Sequence, residues 1–104
     1  MSVRITKVNT QRNNFTHYIG REFHGIPESA FHNPFHIGVD GSREEVLEKF
    51  AVYWYAPEQK RLRQAALVMI HDNDVLGCWC HPLLCHGDFI SGYLAWKREE
   101  PSLF

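Results

Sequence analysis

Cysteine is scarce and confined: the chain has 3, and all of them fall between residues 78 and 85. An odd count in one short stretch argues against the disulfide framework that staples small secreted folds. Long apolar runs are lacking as well. Nothing approaches the roughly 20 residues that a membrane-spanning helix needs. Met1 to Thr10 is polar and alternating, unlike the basic-then-apolar leader of a secreted protein. An excess of charge is also missing. The formal net charge of the 104 residues is -1, so no overall field draws the chain to nucleic acid or to an anionic membrane. Lys60-Arg61-Leu62-Arg63 is the densest basic cluster, but Glu58 is close by and the run is short, so it reads as a solvated helix face. These absences lead to the expectation of a cytoplasmic protein with reduced thiols and no membrane partner, for which nucleic acid is not favoured.

What is present fits one globular unit. A chain of this length buries roughly 60–70% of the surface its unfolded form exposes, which is enough for a core without staples. Val3 and Ile5 alternate with Arg4 and Thr6, predicting a first strand to about Val8. A polar turn at 11–14 follows. Phe15 to Gly20 then reads as a second strand, the return arm of a hairpin, with Tyr18 and Ile19 packed. Residues 21–41 show no period and are punctuated by Gly25, Pro27, Pro34, Gly38 and Gly41. They form a long loop, whose Phe23, Phe31 and Phe35 favour an ordered one.

Ser42-Arg43-Glu44-Glu45 has the pattern of a capping box. The helix after it places Val46, Leu47, Phe50, Tyr53 and Trp54 on one stripe. Pro57 suits the first position of a second helix, which carries Leu62, Ala65, Ala66, Met69 and Ile70 at helical spacing. Val75 to Trp79 is a continuous apolar run, as in a buried strand. Phe89, Ile90, Tyr93, Leu94 and Trp96 mark a last helix, with a loose tail from about residue 99. The order gives a single small α/β domain over 1–104, with a short mixed or partly parallel sheet of about three strands and three or so helices. If the strand at 75–79 lies parallel to the first, the two helices form the crossover, and residues 78–88 fall beyond a strand end, where such sheets place their sites.

That segment carries most of the chemistry. It reads Cys78-Trp79-Cys80-His81-Pro82-Leu83-Leu84-Cys85-His86-Gly87-Asp88. If Cys85 to Asp88 opens the last helix, free amides and the positive end of the helix dipole favour a thiolate at Cys85 and an anion nearby. His86 is then a proton donor or acceptor near neutral pH, and Asp88 caps the helix or binds a ligand hydroxyl. Cys85 and His86 are thus the catalytic candidates. Gly20-Arg21 ends the second strand with a guanidinium suited to phosphate or carboxylate, and Asn33 is held extended by Pro34. Gly20, Arg21, Asn33, Pro34 and Asp88 are therefore the ligand-binding candidates, for a nucleotide-like or other anionic small molecule.

A second reading assigns Cys78, Cys80, Cys85 and one imidazole, of His86 or of His81, to a structural zinc site, although adjacent Cys85 and His86 and the single residue between Cys78 and Cys80 are cramped for it. Cys78 in a buried strand also reads as a small core hydrophobe. In a third reading the aromatic loop is a surface for a protein partner.

Taken together, Gly20-Arg21, Asn33-Pro34-Phe35, Cys78-Trp79-Cys80 and Cys85-His86 resemble an uncharacterised family of phage and bacterial proteins, the domain of unknown function 4326. The resemblance covers nearly the whole chain in the same order. It implies that these positions form one site, and it names no reaction. It suggests a phage protein, one version of which modulates a host partner. His32 stands where the family pattern leads one to expect a glycine before the Asn.

Overall fold

The alternation at the start of the chain becomes β1 (Arg4–Lys7), and the apolar run near residue 76 becomes β3 (Val75–Cys78). Between them in sequence lies β2, only His17–Tyr18. The computed structural model describes residues 3–9, 14–23, 25–80 and 83–99. Its sheet has the order β1-β3-β2, and both pairings are parallel. Arg4 sits opposite Val75 and Lys7 opposite Cys78, while Tyr18 sits opposite Gly77. The single α/β domain and the parallel β1–β3 pair match the sequence expectation.

The expected hairpin does not form. β2 pairs with the far edge of β3 rather than with β1. Hydrophobicity explains the exchange. Val75-Leu76-Gly77-Cys78 is the most apolar strand and takes the centre, where both edges are hydrogen-bonded and both faces covered. β1, with Arg4 and Lys7 exposed, suits an edge. The polar residues before β2 serve the connection. Asn14 Nδ2 donates to Lys7 O at 3.0 Å and to Thr6 Oγ1 at 3.2 Å. Phe15 then lies against Gly77, where a Cβ would come within 2.7 Å of Phe15 Cγ. Thr16 clips the start of β3, its hydroxyl donating to Asp74 Oδ1 at 2.9 Å and accepting from Val75 N at 2.7 Å.

Among the described residues, three helices complete the fold. The capping box forms ahead of α1 (Arg43–Tyr55): Ser42 Oγ accepts from Glu45 N at 3.2 Å, and Glu45 Oε1 accepts from Ser42 N at 2.9 Å. Pro57 opens a 3-10 turn (Pro57–Gln59) rather than the helix itself, which is α2 (Lys60–Met69). α3 spans His86–Glu99 and packs on β1, α1 and α2. Its start, three residues before Phe89, makes Cys85 the residue that enters the helix. Phe31, Phe50, Trp54, Ile70, Leu76 and Leu94 form the heart of one buried cluster. Met69 and Trp96, which share the apolar spacing of their helices, are more than half exposed.

Residues 21–41 are a loop whose pairings are two isolated bridges, Phe23 to Ile26 and Ile37 to Gly41. Phe31 is fully buried against His17 and Trp54, and Phe35 stands edge-on to Tyr53 at 6.1 Å. The tail expected from residue 99 lies outside the described residues beyond Glu99. Among the described residues, no helix is long and apolar enough to cross a membrane.

Candidate functional site

Parallel strands leave their carboxyl ends on one edge, so Gly20 after β2 and Trp79-Cys80 after β3 arrive together. A cavity of about 310 Å³ opens there. The first turns of α1 add Arg43, Val46 and Leu47, and the start of α3 adds Cys85 and His86. The loop closes the remaining side with Asn33, Phe35, His36 and Ile37.

Seven sequence-predicted residues meet at this cavity: Gly20, Arg21, Asn33, Cys78, Cys80, Cys85 and His86. Two others are not on its wall. Asp88 is turned back as a helix cap, its Oδ2 accepting from Cys85 N at 2.8 Å. Pro34 contributes backbone direction. Asn33 Oδ1 accepts from Phe35 N at 2.9 Å, a local turn that bends the loop. Arg21 Nη2 spans the same turn, donating to Asn33 O at 2.7 Å and to Phe35 O at 2.6 Å. Arg21 thus fixes the loop, and among the described residues no carboxylate pairs with it.

In the sequence Arg43 stands only as part of the capping box. It is half-buried at the cavity and has no hydrogen-bond or ion-pair partner among the described residues. The i+1 position of a helix cap carries no sign that the side chain will face a site, so sequence alone could not find it. Trp79 and Phe35 also line the cavity. Trp79 Nε1 donates to Tyr18 Oη at 2.8 Å, and its ring lies 4.5 Å from that of Phe23.

The sulfur chemistry differs from the expectation. Cys78 and Cys85 are buried with their Sγ atoms 3.2 Å apart. The Cys78 contact and then burial push the Cys85 thiol up, and the Gly87 amide opposes this too weakly. The helix start therefore does not yield a thiolate at Cys85. Cys80 is the partly exposed cysteine. Among the described residues, no three His, Cys, Asp or Glu side chains stand together as an ion site. His86 of the zinc reading has its Nε2 on Ile19 O at 2.8 Å instead. His81 lies outside the described residues.

Burial pushes the His86 imidazole down to about 4, against the upward pull of the Ile19 carbonyl, with His32 and Arg21 adding to the fall. The ring is neutral at pH 7. A carbonyl only accepts, so Nε2 carries the proton. Phe50 packs edge-on to this ring at 5.2 Å.

Among the described residues, no Asp or Glu lines the cavity. Its two fixed charges are both guanidinium, inside a chain whose net charge is -1. Such a space attracts anions and repels cations.

Searches of curated proteins and of solved structures find no match. A family model does, over residues 3–96, a span that includes every residue of the cavity wall. The chain belongs to the family described as Domain of unknown function (DUF4326).

Proposed function

We propose that this protein binds a small anionic molecule, nucleotide-like in character, in the cavity at the carboxyl edge of its sheet. One observation carries the reading: two arginines, Arg21 and Arg43, line a space of about 310 Å³ that no carboxylate among the described residues lines. Burying a guanidinium beside apolar side chains is costly unless an anion accompanies it. A fold with spare acidic residues does not place one here. The edge itself is where parallel α/β sheets hold ligands. Thiol chemistry has no support from the sulfur environment, because Cys85 is held protonated. The aromatic loop serves the cavity wall and the core more than a partner surface, since Phe31 is buried and Phe35 lines the site.

The test is thermal unfolding with a panel of small phosphates, sulfates and carboxylates, beside amines as controls. Anions are expected to raise the melting temperature, and Arg43→Ala to lose that rise without shifting the unliganded midpoint. Equal stabilisation in Arg43→Ala, or stabilisation by amines, would overturn the reading.

A further inference from the structure

The cavity constrains how much charge its ligand carries and how large that ligand is. Building on the anion-binding reading, we infer that the ligand is a phosphate monoester borne on a single flat ring system, a nucleoside monophosphate in class. Charge comes first. Arg21 and Arg43 contribute two positive charges, and among the described residues no lining side chain is Asp or Glu. A phosphate monoester carries about -1.5 to -2 at neutral pH, which matches that count. A phosphodiester or a single carboxylate carries one negative charge and leaves a guanidinium uncompensated.

Size narrows it further. About 310 Å³ is at the low end of the roughly 300–1,000 Å³ of small-molecule sites. That holds one ring system and one phosphoryl group. A dinucleotide or a triphosphate overfills it and brings excess charge.

The wall chemistry asks for the ring. Phe35, Val46, Leu47 and Trp79 make an apolar and aromatic surface beside the two arginines. A bare phosphate or a sugar phosphate would leave that surface facing water, whereas a base covers it. Asn33 supplies a donor. Its Oδ1 is engaged by Phe35 N, and its Nδ2 has no partner among the described residues. An amide N–H at this place suits a carbonyl or ring nitrogen of a base.

Isothermal calorimetry on the intact protein tests this, with adenosine and uridine monophosphates, cyclic adenosine monophosphate, ATP, ribose phosphate and inorganic phosphate as probes. A nucleoside monophosphate is expected to bind about tenfold or more tightly than the cyclic diester, ATP or ribose phosphate, as loss of one charge-assisted contact would give. Arg43→Gln should cost the monophosphate a similar factor and leave the circular dichroism spectrum unchanged. If the diester, ATP or ribose phosphate binds as well as the monophosphate, this inference falls while the anion site stands. If the sulfates or carboxylates of the thermal-unfolding panel stabilise in an Arg43-dependent way and phosphates do not, the outcome is the same. If no anion binds, both readings fall together.

Discussion

Cys85 and His86 are neighbours in sequence, yet their surroundings drive their chemistry in opposite senses. The Cys78 contact and then burial push the thiol up, while burial pushes the imidazole down, since burial disfavours whichever form is charged. Both residues are therefore neutral at pH 7. For the thiols we predict that iodoacetamide at pH 7 labels Cys80 first, with Cys78 and Cys85 lagging until the protein unfolds, as peptide mass spectrometry would show. Fast labelling of Cys85 in the native state would contradict its burial beside Cys78. For His86 the linkage has a definite sign. Its folded value of about 4 lies below the ordinary 6.5, so between those limits the unfolded chain binds a proton that the folded chain does not. Stability is full above about pH 6.5 and falls as pH drops toward 4, by on the order of 3 kcal/mol. Urea unfolding across that window should show the loss, and His86→Gln should flatten it.

Elements are held by contacts that local propensity describes unevenly. The capping box was legible, since Ser42 and Glu45 have the required types at the required spacing and the bonds are local. Ser42→Ala is expected to cost about 1 kcal/mol, read as a lower melting temperature. The ends of α1 and α2 were not legible. Arg63 Nη1 donates to Trp54 O at 2.6 Å and to Ala56 O at 2.8 Å, tying off the last turn of α1 from the next helix. That corrects the reading of the 60–63 cluster as a purely solvated face. Arg98 does the same for α2, reaching Leu67 O and Ile70 O while pairing with Asp72. These caps join residues whose encounter depends on packing.

Gly77 and Gly87 are a further case. In isolation each weakens a strand or a helix. Phe15 lies against Gly77, and a Cβ on Gly87 would come 2.7 Å from Ile19 Cδ1. Gly77→Ala should therefore destabilise, by about 1–3 kcal/mol from overpacking, although the substitution raises strand propensity. A neutral or stabilising result in denaturant titration would show that Phe15 yields freely.

At the scale of the molecule, one core supports both the sheet and the cavity. Phe50 is fully buried, stacks with Trp54 at 5.9 Å and packs edge-on to His86. Phe50→Ala should cost about 3–5 kcal/mol, a large part of the about 5–15 kcal/mol that holds a small domain. Because the core is continuous, tryptophan fluorescence and far-ultraviolet circular dichroism should report one coincident transition in urea. Two separated transitions would mean that the cavity edge unfolds independently of the helices.

The amino-acid sequence by itself determined the α/β class, the three helices and the apolar strand near residue 76. Those features rest on periodicity, capping chemistry and residue type, which are local. Tertiary structure decided the rest. It placed β2 on the far side of β3, because the most apolar strand gains most from being central. It silenced the Cys85 thiol, because Cys78 and a buried wall came to stand beside it. It also brought Arg43, a residue of the helix cap, to the wall of a cavity that no carboxylate among the described residues lines, because the first turn of α1 meets the carboxyl edge of the sheet only once the chain has folded.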